Sequence, residues 1–167
     1  MKTMSPADAL IGDSPLIQAA RTLIEKLGPT RLNVLIEGPT GSGKELAAEA
    51  LHRASGRAGP FVACNVCAIP DAMFEDAMFG HVRGAFSGAI GEHRGYMAEA
   101  DGGTLFLDEL SGLASHNQLK LLRALETRRF RAVGARVDVQ QDALEIRFRV
   151  DGLASLVEDF KREPVAA

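Results

Sequence analysis

One segment constrains what this chain can fold into more than any other: Gly38-Pro39-Thr40-Gly41-Ser42-Gly43-Lys44. It matches the pattern G-x-x-x-x-G-K, follows a short apolar run at residues 33–37 and precedes a helical pattern at residues 44–54. Small residues let the backbone curl so that successive N–H groups point at phosphate oxygens, and the start of a helix adds positive partial charge. The segment therefore predicts a phosphate-binding turn between a strand and a helix, with Lys44 reaching the outer phosphates.

The residue after this lysine is unusual for such a turn. Glu45 stands where a Ser or Thr commonly serves as a magnesium ligand. The alternative interpretation is a glycine-rich turn that binds nothing. It is disfavoured because the strand, the glycines, the lysine and the helix are all in register.

Short apolar runs alternate with helical patterns along the chain. Strand patterns occur at residues 33–37, 61–64 and 104–110, and helical patterns at residues 15–27, 44–54, 71–79 and 115–127. This alternation is typical of an α/β fold of three layers with mostly parallel strands. At 167 residues the chain is long enough for one such domain. We therefore expect a P-loop NTPase core.

Two carboxylates end the apolar strand pattern near residue 108. Asp108 and Glu109 follow Leu105-Phe106-Leu107, and the carboxyl ends of parallel strands face the ligand crevice of an open sheet. Asp108 would hold Mg²⁺, and Glu109 would polarise an attacking water. Standing alone, the pair would indicate two solvated acids. Together with the glycine-rich turn, it favours a catalytic site.

Charge and composition exclude several classes of function. Lys and Arg total 19 and Asp and Glu total 22, so no basic excess indicates direct DNA binding. No apolar run approaches the ~20 residues of a membrane span, and the N-terminus lacks the apolar core of a signal peptide. Two cysteines fit a reducing compartment. We expect a cytoplasmic protein that contacts neither DNA nor a membrane directly.

The thiols and imidazoles give no metal signal. Cys64 and Cys67 form a C-x-x-C pattern without the second pair that a tetrahedral zinc site needs, so we expect two buried free thiols. The histidines show no spacing typical of metal ligation: His52, His81, His93 and His116.

A glycine-rich stretch separates this chain from other P-loop proteins: Gly84-Ala85-Phe86-Ser87-Gly88-Ala89. It lies in a segment predicted as a long mobile loop, residues 80–95, and it resembles the GAFTGA hexapeptide of sigma-54-dependent transcriptional activators, the bacterial enhancer-binding AAA+ ATPases. GPTGSGKE is similar to that family's Walker A, in which an acidic residue commonly follows the lysine. ADGGTLFLDEL is similar to its Walker B, and QLKLLRALETRRFRAVG to its next helix. The resemblance covers about residues 10–139.

The resemblance implies roles for individual residues. The turn at residues 38–45 would bind ATP, Asp108 would hold Mg²⁺ and Glu109 would activate water. Asn65 occupies the position of the asparagine that pairs with the catalytic glutamate and relays the nucleotide state. Phe86 and Ser87 would form the tip that touches sigma-54, with Ser in place of the usual Thr. The resemblance thus implies an AAA+ sigma-54 interaction core over residues 1–139 that regulates transcription with the sigma-54 RNA polymerase holoenzyme.

The tail, residues 140–167, departs from the family pattern. Where the family has a strand resembling V-R-I-I-A-A-T-N, this chain has Ile146-Arg147-Phe148-Arg149-Val150-Asp151. A strand covered on both faces should not carry Arg147 and Arg149 on one side. We therefore expect a divergent, truncated tail whose strand lies at an edge or pairs with residues 137–139 as an exposed hairpin.

We also expect no helical lid and no complete set of arginine fingers. ATP hydrolysis would then require fingers from a full-length AAA+ activator or from self-association. The alternative is a non-catalytic regulator, an anti-activator that binds activator subunits or sigma-54. A third interpretation, a small P-loop kinase, is disfavoured by Glu45 and by the hexapeptide.

Overall fold

The computed structural model describes residues 10–30, 32–38, 41–142 and, for the backbone, 144–149. The helices in these residues are α1 (Pro15–Leu27), α2 (Lys44–Ser55), α3 (Phe74–Phe79), α4 (Tyr96–Glu99) and α5 (Ser115–Thr127). The strands are β1 (Val34–Glu37), β2 (Phe61–Asn65), β3 (Thr104–Asp108), β4 (Arg129–Phe130), β5 (Val139–Gln140) and β6 (Leu144–Arg149). Short 3-10 turns occupy Val66–Ala68, Asp71–Met73 and Leu110–Gly112.

The main sheet has four strands in the order β1-β6-β3-β2, and every pair in it is parallel. β4 and β5 form a separate antiparallel ribbon. Because the main strands run in one direction, β1, β3 and β2 all end at the same edge of the sheet. The predicted α/β fold with a mostly parallel sheet is confirmed, and this edge is where the predicted site residues follow their strands.

The expectation for the strand in the tail is wrong. β6 is a central strand, since it pairs with β1 on one side and β3 on the other. It is neither an edge strand nor the partner of residues 137–139, and β5 pairs with β4 instead. Without β6, β1 and β3 would each leave a row of backbone N–H and C=O groups unpaired, and β6 satisfies both rows. The predicted boundary between residues 139 and 140 falls within β5 and stays a prediction.

The two faces of the sheet carry separate apolar clusters, as three layers require. Leu105 and Leu107 point to one cluster and Phe106 to the other, following the alternation of side chains along β3. The first cluster includes Val66, Phe74, Met78, Met97, Leu121 and Leu125. The second includes Ile24, Ala48, Ala50 and Leu51. β3 is thus buried on both faces, and its last residues emerge at a fixed place.

Close packing of α1 on α2 sets the direction of α2. A Cβ on Gly28 would lie 2.4 Å from the Cβ of Ala54, so a side chain at Gly28 would push the two helices apart.

Within the described residues, every helix is too short or too polar to cross a lipid bilayer.

Candidate functional site

The predicted phosphate turn, residues 38–45, runs from the end of β1 into the first turn of α2. Gly41 and Gly43 have φ of 81° and 80°, a left-handed conformation that favours glycine. A Cβ on Gly38 would lie 2.7 Å from Oγ of Ser42, so the turn closes tightly on itself. Lys44 begins α2, and Glu45 is exposed on its first turn. Pro39 and Thr40, the other two predicted members, lie outside the described residues.

The two predicted carboxylates lie at the end of β3. Asp108 is half-buried, and its Oδ1 accepts a hydrogen bond from the backbone N–H of Glu109 at 2.9 Å. Glu109 has φ 58° and ψ 38°, a left-handed conformation that is uncommon for a residue with a side chain. Backbone strain of this kind concentrates at functional sites.

Asn65, at the end of β2, reaches the carboxylate of Glu109. Its Nδ2 donates to Oε2 of Glu109 at 2.9 Å, and its Oδ1 accepts from the backbone N–H of Cys67 at 3.0 Å. Asn65 also lies directly opposite Asp108 in the parallel pairing of β2 and β3. The structure therefore brings together the three residues predicted to be catalytic.

The two cysteines differ in exposure, and the expectation that both are buried is wrong for Cys67. Burial raises the pKa of the Cys64 thiol to about 11. Cys67 is exposed, and its Sγ donates to the backbone carbonyl of Glu109 at 2.9 Å. The 3-10 turn Val66–Ala68 ends the alternation of β2, so the second cysteine does not continue toward the core.

These residues fit a magnesium–nucleotide group. Tight glycine turns leave room for phosphate beside the backbone, and carboxylate oxygens such as those of Asp108 suit Mg²⁺. β6 separates β1 from β3, so the turn and the carboxylates stand roughly 10 Å apart, two strand spacings. A phosphate chain anchored near Lys44 can extend across that distance toward Asp108.

The hexapeptide loop, residues 84–89, closes on itself within the segment predicted as mobile. Gly84 N–H donates to the carbonyl of Ala89 at 2.8 Å, and Gly84 and Gly88 have φ of 79° and 103°. Phe86 is 47% exposed and Ser87 is exposed, whereas Ala89 is buried. The loop thus presents Phe86 and Ser87 outward.

Two neighbouring segments support the hexapeptide loop. His81 and His93 pair as an antiparallel bridge at its base, with two backbone hydrogen bonds of 3.0 Å. A Cβ on Gly134 would lie 2.8 Å from the Cβ of Ala85, so the chain after β4 packs closely against the loop. The ring of Phe86 meets that of His81 edge to face, with centroids 4.9 Å apart.

One cluster escaped the sequence analysis. Oδ1 of Asp76 lies 2.5 Å from Nδ1 of His81 and 3.5 Å from Nδ1 of His93. The separations along the chain are irregular, because α3 and the bridge bring the groups together. The sequence does place one histidine on each side of the glycine-rich hexapeptide. This placement would have indicated that the two histidines meet at the base of a hairpin.

Comparison with known proteins places this arrangement in a family. Residues 10–162 match the family described as the Sigma-54 interaction domain. The transcriptional regulator VasH of Vibrio cholerae serotype O1 is 46% identical over 134 residues, which cover 80% of this chain and 25% of VasH. The DNA-binding transcriptional regulator NtrC of Escherichia coli K12 is 41% identical over 157 residues, 93% of this chain and 34% of NtrC.

A solved structure agrees with these relatives. NtrX from Brucella abortus in complex with ADP superposes with a TM-score of 0.78 at 33% identity, covering 94% of this chain and 36% of NtrX. This chain spans about a quarter to a third of the length of the curated relatives described here. Its fold is that of a P-loop NTPase. The chain therefore belongs to the Sigma-54 interaction domain family, the AAA+ domain of sigma-54-dependent transcriptional regulators.

Proposed function

We propose that this chain binds ATP with Mg²⁺ and contacts the sigma-54 RNA polymerase holoenzyme through its hexapeptide loop. Nucleotide would lie between the phosphate turn and the end of β3. NtrX, a similar protein, has been solved in complex with ADP, which supports nucleotide binding by a chain of this fold. Membership of the Sigma-54 interaction domain family supports a role of this chain in transcription regulation.

Each residue of the site has a chemical task in this proposal. Backbone N–H groups of the phosphate turn and the Lys44 ammonium hold the phosphates. Asp108 would bind Mg²⁺, which when present neutralises the charge developing on the phosphoryl group. Glu109 accepts a proton from the attacking water, or orients that water, at its carboxylate. These tasks match the donor and acceptor types that the edge of the sheet brings together.

The observation that carries the proposal is the hydrogen bond from Asn65 to Glu109. It ties the predicted base to β2, and the chain continues from β2 through α3 into the hexapeptide loop. A change at the Glu109 carboxylate on nucleotide binding would alter this bond and so the end of β2. We infer that Asn65 passes the state of the nucleotide toward the surface that meets sigma-54.

Assembly is part of the proposal. Hydrolysis would be completed by arginine side chains from an adjacent subunit, either another copy or a full-length AAA+ activator. Such a residue placed in trans can contribute on the order of 10³–10⁵ in rate. Mixed assembly that instead blocks an activator would make the chain an anti-activator with the same contacts.

ATP binding and turnover of the wild type and of Lys44→Ala test the nucleotide site. We expect the wild type to bind ATP, to turn it over slowly alone, and to change the turnover of a full-length activator from the same cell. Lys44→Ala should lose affinity, because the charge on the phosphates loses its partner. Equal affinity of the two proteins would overturn the assignment of residues 38–45. Transcription from a sigma-54 promoter then separates an activator from an anti-activator by the sign of the effect.

Phe86→Ala and Ile90→Ala test whether the hexapeptide loop is the surface that contacts sigma-54. Phe86 is 47% exposed and Ile90 is 84% exposed, so both are apolar side chains near the tip, but only Phe86 belongs to the hexapeptide. We expect Phe86→Ala to lose binding to sigma-54 in the presence of ATP, and Ile90→Ala to retain it. Equal binding by both variants would remove the loop from the interface while leaving the nucleotide site intact.

A further inference from the structure

Three side chains at the base of the hexapeptide loop converge on one point. Oδ1 of Asp76 and the Nδ1 atoms of His81 and His93 all lie within 4.8 Å of one another. Among the described residues, this is the one group of three or more histidine, cysteine or acidic side chains close enough to share a metal ion. The nucleotide site and the proposed contact with sigma-54 use none of these three side chains.

The backbone holds this cluster in place. Asp76 lies in α3, whose last residue is followed by Gly80, and a Cβ on Gly80 would lie 2.2 Å from the carbonyl oxygen of His93. His81 and His93 exchange two backbone hydrogen bonds of 3.0 Å. The backbone therefore keeps the three ligand-bearing residues close together independently of their side-chain contacts.

The donor set suits a divalent transition metal. Two imidazoles and one carboxylate are ligands that Zn²⁺ and its neighbours bind, with ligand atoms about 2.0–2.2 Å from the metal. In a tetrahedral site, ligand atoms then stand roughly 3.4 Å apart. The Asp76–His93 separation of 3.5 Å meets that value already, whereas the 2.5 Å Asp76–His81 contact is a hydrogen bond that must open by about 1 Å.

Because the cluster is partly exposed, a metal ion bound there would keep one coordination position open to solvent. The side chains of His81, Asp76 and His93 are 14%, 26% and 47% exposed. The cluster is thus sheltered on the side of α3 and open on the side of His93. A metal ion can enter there and bind Nδ1 of His81, whose ring proton passes through solvent to Nε2, and it can keep a water as its fourth ligand.

We propose that Asp76, His81 and His93 form a binding site for a divalent transition metal of the zinc class at the base of the hexapeptide loop. The metal cross-links α3 to both ends of the loop. Because the ring of His81 contacts the ring of Phe86, the metal also fixes a side chain that supports the aromatic residue of the hexapeptide. The competing interpretation is a hydrogen-bonded pair of Asp76 and His81, with His93 a solvated side chain.

Titration of the nucleotide-free protein with Co²⁺ tests the proposal directly. Tetrahedral Co²⁺ gives intense visible d–d bands and octahedral Co²⁺ gives weak ones, so the spectrum reports the geometry. We expect intense bands that saturate at one equivalent and disappear when Zn²⁺ is added. Weak bands alone, or bands that never saturate, would overturn the proposal.

His93→Gln and His116→Gln form a matched pair for this titration. Both histidines are about half exposed and lie near one aspartate, but His116 pairs with Asp71, away from the cluster. We expect His93→Gln to weaken Co²⁺ binding at least about tenfold, since removing even an outer partner of a metal ligand costs that much. His116→Gln should bind as the wild type does. Equal loss in both variants, or in neither, would contradict the assignment.

Two further variants separate this site from others that take Co²⁺. Asp108→Asn removes the proposed magnesium ligand, and Cys67→Ser removes the exposed thiol. The intense bands should survive both changes and should lack a thiolate charge-transfer band. Bands lost in Asp108→Asn or Cys67→Ser would place the metal elsewhere and overturn the proposal.

Discussion

Asn65 and Glu109 are joined by a hydrogen bond between the carboxyl ends of two parallel strands, at 2.9 Å from Nδ2 to Oε2. Asn65 lies opposite Asp108 in the pairing, so Glu109 is one residue beyond its partner and reaches back to it. The turn after β2 fixes the other end of the amide, because Oδ1 accepts from the N–H of Cys67. The amide therefore has one orientation, with its donor toward the carboxylate.

Asn65→Asp is the sharpest change at this contact. An aspartate keeps an acceptor for the Cys67 N–H but replaces donation to Glu109 with repulsion between two carboxylates. We expect ATP affinity to be unchanged and turnover, measured in the mixture with a full-length activator, to fall on the order of 10- to 100-fold because the base is displaced.

Asn65→Ser is the control for charge. A serine hydroxyl can still accept from the turn but is too short to reach Glu109, and it adds no negative charge. A similar loss of turnover in Asn65→Ser would assign the effect to the missing hydrogen bond. A rise in turnover in either variant would show that Asn65 restrains the base, contrary to the expectation.

The left-handed backbone of Glu109 predicts an unusual ranking of substitutions. At φ 58° a Cβ is strained, so Glu109→Gly should be more stable to urea than Glu109→Ala by about 1 kcal/mol. Both variants lose the contact with Asn65, and their difference isolates the backbone effect. Urea unfolding followed by circular dichroism measures it.

Ala19→Gly is the control, because glycine should lower the free energy of unfolding at this position instead of raising it. Ala19 is exposed in the middle of α1, where glycine should cost about 1 kcal/mol relative to alanine. If glycine destabilises the protein at residue 109 as it does at residue 19, the left-handed conformation of Glu109 is not the native one.

Local patterns accounted for the parts of the site that lie within single elements. The strand, turn and helix over residues 33–54 follow from glycine spacing and apolar periodicity. The strand predicted over residues 104–110 is present but ends earlier, at Asp108. Asn65 was found through the family resemblance, because one asparagine after a strand has no pattern of its own. The placement of these residues at one edge follows from the parallel sheet.

Contacts between distant segments were not predictable in the same way. Arg147 and Arg149 favoured an edge strand, but the open backbone edges of β1 and β3 determine where β6 pairs. The exposure of Cys67 depends on a 3-10 turn that breaks the alternation of β2. Asp76 meets the two histidines only because α3 packs beside the base of the hexapeptide loop.

The two thiols should react at very different rates. Cys64 is 3% exposed and its pKa is raised to about 11 by burial, so at about pH 8 roughly one molecule in a thousand carries its thiolate. Cys67 is exposed. We expect one fast equivalent with a disulfide reagent in the folded protein and the second only after unfolding.

Single serine variants assign the fast thiol. Cys64→Ser should keep the fast equivalent, and Cys67→Ser should abolish it. Two fast equivalents in the wild type would mean that the apolar cluster around Cys64 opens to solvent in the native state.

His52 should make stability depend on pH. Its Nδ1 lies 2.8 Å from Oγ1 of Thr104, and its ring packs against Phe61. Burial lowers the pKa of His52 below its usual 6.5, with Arg53 and Arg57 adding to the effect and Glu49 opposing it. As the pH falls below about 6.5, the His52 imidazole therefore takes up a proton more readily in the unfolded chain than in the folded protein.

The sign follows from that difference in proton uptake. Neutral His52 contributes to the free energy of unfolding. This contribution is fully present above 6.5, the pKa of His52 in the unfolded chain, and it is lost as the pH falls through the lower pKa of the folded protein. Measured by urea unfolding at about pH 7.5 and about pH 5.5, the wild type should lose more stability than His52→Gln does. An identical loss in His52→Gln and the wild type would mean that His52 takes up its proton equally in the folded and unfolded chains.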